Sequence, residues 1–257
     1  MVNKGYTENE LLISVASKLL EDNTSALVGT GLPMLAAMLA QKTHAPGLLL
    51  IFEAGGIGAQ MPALPISVGD SRTFYKAVAA SSMHDVMSFA QAGYVDFGFL
   101  GAAQLDKHGN INTTVIGDHN LPKTRLPGSG GANDVGSFAR RTIVIMRQDK
   151  KRLVEKLDFL TTPGYLDGEG ARERAGLPTG TGPYRVITQL GVFDFGGKNK
   201  TMRLIAMHPG VTVADVEAAT SFEIEVAPKL ETTAPPTAKE IEILHREIDP
   251  LGIVLKK

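Results

Sequence analysis

A chain of 257 residues, 43% hydrophobic and 21% charged, has the composition of an ordinary globular protein and the length of one large α/β domain. Its formal net charge of −1 offers no basic excess to neutralise phosphates, so neither nucleic acid nor a membrane surface is expected as a partner. It has no cysteine, which excludes disulfides, thiolate catalysis and Cys-ligated metals, and with a polar N-terminus and no long apolar run a cytoplasmic protein is expected.

Thr7-Glu8-Asn9-Glu10 has the form of a capping box, and Leu11, Leu12, Val15, Ala16, Leu19 and Leu20 follow at helical spacing. Ser25-Ala26-Leu27-Val28 reads as a short strand running into Gly29-Thr30-Gly31-Leu32-Pro33, after which residues 34–42 read as a second helix. A strand, a turn with Gly29 and Gly31, and a helix N-terminus together form an arrangement that holds anions. A plain tight turn accounts for two glycines as well, and the remainder of the dinucleotide fingerprint is missing.

Leu48-Leu49-Leu50-Ile51-Phe52 is a continuous apolar run, the pattern of a strand buried on both faces. Glu53 stands at its C-terminal end, where the ligand crevices of open α/β sheets lie. Ala54, Gly55 and Gly56 follow, leaving the carboxylate unshielded so that a substrate could come close. The blander alternative is a strand-end glutamate facing water beside a glycine turn.

Residues 57–71, with Pro62, Pro65 and Gly69, read as an irregular rim loop. Residues 83–92 read as a helix, with 94–100 and 111–116 as strands. In Gly128-Ser129-Gly130-Gly131-Ala132-Asn133-Asp134 the glycine spacing can turn successive N–H groups toward one point, although a flexible surface loop has the same composition. Residues 142–146 form a buried strand, while 184–190, 191–195 and 202–207 alternate like antiparallel strands. Thr237-Ala238-Lys239-Glu240 is a second capping box and opens a closing helix with Ile241, Leu244 and Ile248 inward. Without repeats or a linker, a single domain over 1–257 is expected.

His44, His84, His108, His119, His208 and His245 are scattered without ligand spacing, so no metal site is expected. There is no Gly-x-Ser-x-Gly elbow and no phosphate-binding loop with its Gly-Lys-Ser/Thr ending. What remains is an unpaired carboxylate at a strand end and glycine-rich backbone able to hold an oxyanion. A carboxylate attacks activated acyl groups. The tetrahedral intermediate then needs N–H donors, which the Gly130-Gly131-Ala132 backbone could supply.

These residues, with Ser67-Val68-Gly69-Asp70, Gly101-Ala102-Ala103-Gln104-Leu105-Asp106, Gly109-Asn110-Ile111-Asn112, Pro122-Lys123-Thr124-Arg125, Thr162-Pro163-Gly164, Arg172-Glu173-Arg174-Ala175-Gly176-Leu177-Pro178 and Glu247-Ile248-Asp249-Pro250, form an ordered set. In that set the chain resembles the B (β) subunits of the family I CoA-transferases, of the glutaconate CoA-transferase kind, almost end to end. The resemblance implies a doubly wound, mostly parallel α/β sheet with helices on both faces and some antiparallel strands in the C-terminal third. It implies a cytoplasmic enzyme with its active site between this chain and an α (A) subunit, in an αβ heterotetramer or larger. It makes Glu53 the catalytic glutamate that becomes a glutamyl-CoA thioester, and places Gly130, Gly131 and Ala132 near the oxyanion and CoA. Gly29, Gly31, Ala54, Gly55, Gln104, Asn110 and Asn112 fall on segments that line or support the pocket. An acyl-CoA is implied as substrate, with no permanently bound cofactor and no metal.

One departure stands out. Many relatives follow the glutamate with Ser-Gly or Asn-Gly, whereas this chain has Ala54-Gly55. The segments 190–197 and 207–212 look like a ring-opening hydrolase branch. Two alternatives therefore stand beside transfer: a CoA-thioester C–C hydrolase or decarboxylase with Glu53 as general base, and a non-catalytic partner subunit.

Overall fold

The computed structural model describes residues 5–255, which divide into two compact units: residues up to Phe99 together with those from Ala234 onward, and Leu100–Thr233. The first contains α1 (Glu8–Ser17), β1 (Ser25–Leu27), α2 (Leu32–Lys42), β2 (Leu49–Ile51), β3 (Gly56–Ile57), β4 (Ala79–Ala80), α3 (Met83–Gln91) and β5 (Phe97–Leu100). Its strands lie in the order β5-β1-β2-β3-β4. β1 is parallel to both β5 and β2, while β3 and β4 continue antiparallel from β2.

Local chemistry sets these elements. The Thr7 side chain accepts from the N–H of Glu10, and the Glu10 carboxylate accepts from the Thr7 N–H, closing the expected capping box. α2 has Pro33 in its first turn, where a missing N–H costs nothing, and Met34 to Ala40 are all buried. A helix apolar on every side belongs in the interior. α3 starts with a further capping box, Ser82 with Asp85.

The second unit holds β6 (Gln104–Leu105), β7 (Ile111–Asn112), β8 (Val115–Gly117), β9 (Pro122–Arg125), α4 (Ala132–Phe138), β10 (Arg141–Ile145), α5 (Ala171–Arg174), β11 (Pro183–Ile187), β12 (Gly191–Asp194), β13 (Arg203–Met207), α6 (Val213–Ala218) and β14 (Glu225–Thr232). Its main strand order is β14-β13-β12-β11-β10. β10 and β11 are parallel, and β11, β12 and β13 run antiparallel as the alternation predicts. The fold is the expected α/β class, with antiparallel strands in its C-terminal part.

Three features differ from the sequence reading. The strand expected over 111–116 is split, because Thr113 and Thr114 turn the chain between two small hairpins, β6–β7 and β8–β9, with the Asn112 side chain accepting from the Thr114 N–H. β14, parallel to β13, was not expected, since Pro228 and its charges mask the strand pattern. The closing helix α7 (Ala238–Ile243) passes into a π turn at Leu244–Ile248, which buries Ile243 and leaves Ile241 half-exposed. Among the described residues no helix is long and apolar enough to cross a membrane.

The C-terminal segment is fastened to α1 through ionisable groups. His245 contacts the Glu10 carboxylate, and buried Asp249 accepts from the N–H groups of Ile253, Val254 and Leu255. Burial pushes both carboxyls up. The Thr7 amide and His245 outweigh it at Glu10, and the three amides and the charge of His245 outweigh it at Asp249, so both lie below their ordinary values. A carboxyl depressed in the folded state contributes stability above its unfolded pKa and loses it as pH falls through the folded value. We therefore expect the melting temperature to hold near neutrality and fall below about pH 4. Asp249→Ala, which strands three donors, should cost about 2 kcal/mol or more and flatten that acid limb; thermal melts of both proteins between pH 7 and 3 measure it.

Candidate active site

In the first unit the candidate groups gather at the carboxyl ends of two adjacent parallel strands. β1 leads through Gly29 and Gly31 into α2, with Gly31 at the N-cap and no side-chain cap. Alanine-like Cβ atoms at Gly29 and Gly31 would meet open space, so neither glycine serves packing. β2 leads into Glu53. The Gly55 N–H donates to the Phe52 carbonyl at 2.9 Å and the Phe52 N–H to the Gly56 carbonyl at 2.9 Å. Phe52 to Gly55 is thus a β-turn joining β2 to β3, with Glu53 and Ala54 at its two corners.

Glu53 is half-buried, and its carboxylate accepts no hydrogen bond and forms no ion pair among the described residues. A carboxylate so placed keeps its lone pairs for an incoming electrophile.

The glycines after Glu53 serve a different purpose from the one the sequence suggested. Gly55 sits at φ +117°, and a Cβ there would lie 1.9 Å from the Ser81 carbonyl oxygen; a Cβ at Gly56 would lie 2.1 Å from that of Thr73. Backbone occupies the space where either Cβ would lie, so only glycine fits at these two positions. The open side of the turn is at Glu53 and Ala54. There the 67–70 loop comes alongside, a Cβ at Gly69 reaching the Ala54 methyl at 4.0 Å.

That rim loop is rigidly built. Arg72 grips Asp70 through Nε and Nη2 at 2.9 and 2.6 Å and donates from Nη1 to the Leu64 carbonyl at 2.7 Å. The hydrogen bonds from Arg72 hold the Asp70 carboxyl well below the usual carboxylate range. With its donors so engaged, Arg72 is scaffolding for the rim.

In the second unit the glycine segment precedes α4. Gly130 has φ +47°, and the amides of Gly130 and Gly131 have no acceptor among the described residues. Ala132 is a correction to the expected trio: its N–H donates to the Ser129 carbonyl at 2.9 Å and is spent inside the turn.

Gln104, Asn110 and Asn112 are buried, and their amides bind the protein itself. Asn112 Nδ2 donates to Gln104 Oε1 at 2.7 Å and to the Val115 carbonyl at 2.6 Å; Gln104 Nε2 donates to Asp158 at 3.0 Å. Asn110 accepts from the Gly164 and Leu166 amides and donates to Asp106 and the Leu166 carbonyl. Burial pushes the Asp106 carboxyl up. These side chains support loops, and their polar atoms are not aimed at a ligand.

Sequence reasoning missed the residues that tie this framework to the glycine segment. Thr113 Oγ1 donates to the Gly128 carbonyl at 2.8 Å, and the Gly128 N–H returns to the Thr113 carbonyl at 2.9 Å. Thr161 Oγ1 accepts from the Thr113 N–H at 2.9 Å, and its carbonyl accepts from Asn133 Nδ2 at 3.0 Å. Arg172 is fully buried and donates to the carbonyls of Pro163, Gly164, Gly136 and Ser137 and to the Thr181 hydroxyl. Burial lowers its pKa. The clustering of Asn and Thr within otherwise apolar 110–115 was the available signal.

The Coenzyme A transferase family model matches residues 9–219. The chain is 40% identical over 241 residues to the B chain of 3-oxoadipate CoA-transferase from Pseudomonas knackmussii, covering 93% of this chain and 92% of that one. It is 37% identical to the B chain of glutaconate CoA-transferase from Acidaminococcus fermentans, covering 95% and 93%. The crystal structure of glutaconate coenzyme A-transferase from that organism superposes with a TM-score of 0.93, 34% identity and 98% coverage of each chain. A more distant likeness, 29% identical over 96% of each chain, is to the cholesterol ring-cleaving hydrolase IpdB subunit of Mycobacterium tuberculosis.

Gly55→Ala should displace the Ser81 backbone and destabilise the protein by about 2–4 kcal/mol, read from a shift of the urea midpoint. Gly29→Ala, with its Cβ in open space, should leave that midpoint within about 0.5 kcal/mol of the parent.

Proposed function

The chain belongs to the coenzyme A transferase family, and from that premise we propose that it is the β subunit of an enzyme moving CoA from an acyl-CoA to a carboxylic acid. The observation that carries the reading is Glu53: a half-buried carboxylate at the corner of a fixed turn, claimed by no donor or cation among the described residues.

The Glu53 oxygen attacks the donor thioester carbonyl, expelling CoA thiolate and leaving a mixed anhydride. The thiolate attacks the glutamyl carbonyl of that anhydride, releasing the donor acid and forming glutamyl-CoA. An acceptor carboxylate attacks the glutamyl-CoA, and the same steps in reverse deliver its acyl-CoA and restore Glu53. Thioester energy is kept throughout, so ATP is not consumed. Water has to be excluded, because hydrolysis of the enzyme thioester would waste it. Each addition passes through an oxyanion that N–H donors stabilise. In the second unit the amides of Gly130 and Gly131 are uncommitted among the described residues, and Ala132 closes the turn before α4. CoA enters as substrate, and no resident cofactor is assigned.

This reading includes an α partner. The relatives are named as one subunit of a larger enzyme, and the surface around the 58–78 segment carries exposed Ile66 and Val78, at 67% and 79%. The partner would cover the carboxyl ends of β1 and β2 and supply the cations for CoA phosphates that the Glu53 turn lacks, in a heterotetramer or larger.

A second reading follows from the likeness to IpdB: Glu53 as general base in hydrolysis or decarboxylation of a CoA thioester. Labelled carboxylate decides between them, since transfer places it in acyl-CoA without net thioester loss.

Co-expression with its α partner should give an active complex, while the single chain should be inactive. Treating the complex with acyl-CoA and borohydride should reduce Glu53, located by peptide mass mapping. Glu53→Gln should lower turnover by at least about 10³-fold. An active complex with an unmodified Glu53, or with activity surviving Glu53→Gln, would overturn the assignment.

A further inference from the structure

We infer that the 66–70 rim loop is a fixed wall keeping water from the enzyme thioester on Glu53, with Asp70 as the positioning residue that holds it; the inference rests on the transferase reading above. All of its groups belong to the first unit.

The loop is placed by two contacts with the turn that carries Glu53. At one, a Cβ at Gly69 would reach the Ala54 methyl at 4.0 Å; at the other, the Thr73 carbonyl closes on the Gly56 backbone. Asp70 lies between them, and both of its carboxylate oxygens are filled. Oδ1 accepts from the Arg72 N–H and from Arg72 Nε, each at 2.9 Å. Oδ2 accepts from the Ile66 N–H at 3.1 Å and from Arg72 Nη2 at 2.6 Å. Arg72 Nη1 goes on to the Leu64 carbonyl at 2.7 Å, and the Leu64 N–H donates to the Ile248 carbonyl at 2.8 Å. Behind the loop, fully buried Thr73 donates from Oγ1 to the Asp70 carbonyl at 2.7 Å.

Folding alone has little use for so much anchoring. Ile66, Ser67 and Gly69 are exposed, so the tip of the loop buries little apolar surface. A bidentate, charge-assisted pair fixes geometry as well as adding energy. An exposed tip held at both ends suits a wall whose distance from its neighbour matters, and that neighbour is Ala54, one residue from Glu53. A glutamyl-CoA intermediate needs such a wall. Water adding to its glutamyl carbonyl breaks the C–S bond and releases CoA thiol, the Glu53 carboxylate and a proton, and the thioester is lost.

The test uses the assembled complex with its α partner and acetyl-CoA, butyryl-CoA and glutaryl-CoA as donors, each with its own labelled acid. Label entering the acyl-CoA measures transfer, and free thiol measures hydrolysis. Asp70→Asn sets an NH2 group against two of the donors that the carboxylate now accepts. Its ratio of hydrolysis to transfer should rise about 10-fold or more, with borohydride still trapping at Glu53. Arg72→Lys, which keeps the charge but loses the fork, should raise the ratio about 3- to 10-fold. A role confined to folding or assembly would lower the yield of complex or its melting temperature and leave the ratio at the parent's value. That result in either variant that assembles would overturn the inference. Amide hydrogen exchange in the parent complex needs no variant: the Ile66 and Arg72 amides should exchange slowly, and rapid exchange at both would overturn it as well. Failure of the transferase reading looks different, since the parent itself would then place no label in any of the three donors.

Discussion

The candidate site depends first on how closely the main chain at Gly55 and Gly56 approaches that of Ser81 and Thr73. The Ser81 N–H donates to the Gly55 carbonyl and the Val78 N–H to that of Ile57, both at 2.9 Å, on the β4 side, while the Gly58 N–H donates to the Leu50 carbonyl at 2.7 Å on the β2 side, so β3 is held on both sides by backbone. Hydrogen-bond length, and not side-chain packing, sets the spacing. β3 must fold back at once along β2, and the two residues between them must occupy the corners of a turn. Glu53 faces outward because the chain has nowhere else to put it. The rim loop then needs an anchor of its own, which the Asp70–Arg72 pair supplies.

The second unit follows a different rule. Its hairpins are two to four residues long and bury little apolar surface, so buried amides and hydroxyls hold their register. Such networks specify one arrangement when every member is satisfied. Asn110 meets that condition with two donated and two accepted bonds. A second network lies under β11 and β13. Gln148 and Gln189 exchange amide-to-backbone bonds at 2.8 Å, Thr188 Oγ1 donates to Gln148 at 2.7 Å, and His208 reaches the Thr188 carbonyl at 2.8 Å. Buried His208 is thus a core histidine with both nitrogens occupied. The likeness of 190–212 to the hydrolase branch falls on this scaffold.

Signals written in neighbouring residues were legible in the sequence. The capping boxes at Thr7 and Thr237, the strand before Glu53 and the α/β order follow from local chemistry and apolar spacing. The hairpin at Glu53 was not, because β3 is two residues long and the reason for Gly55 lies 26 positions away at Ser81. Gly130 and Gly131 were legible as uncommitted backbone, whereas the engagement of Ala132 depends on how the turn closes. Arg172 stood in a charged triplet that nothing local separates from a solvated face. Its acceptors come from three segments, which only the folded chain assembles.

β14 bears on a separate matter, the behaviour of this protein in concentrated solution. It ends its strand order and is mostly exposed, the condition under which sheets recruit further chains. Its register against β13 jumps from Val226 at Leu204 to Glu231 at Ala206, so residues 227–230 bulge out of the ladder. Pro228 has no N–H to offer, and Lys229 and Glu231 put opposite charges on the rim. An approaching strand finds an interrupted, charged ladder in place of a flat template. The irregularity that hid this strand from its sequence pattern also makes its edge a poor template for a further strand.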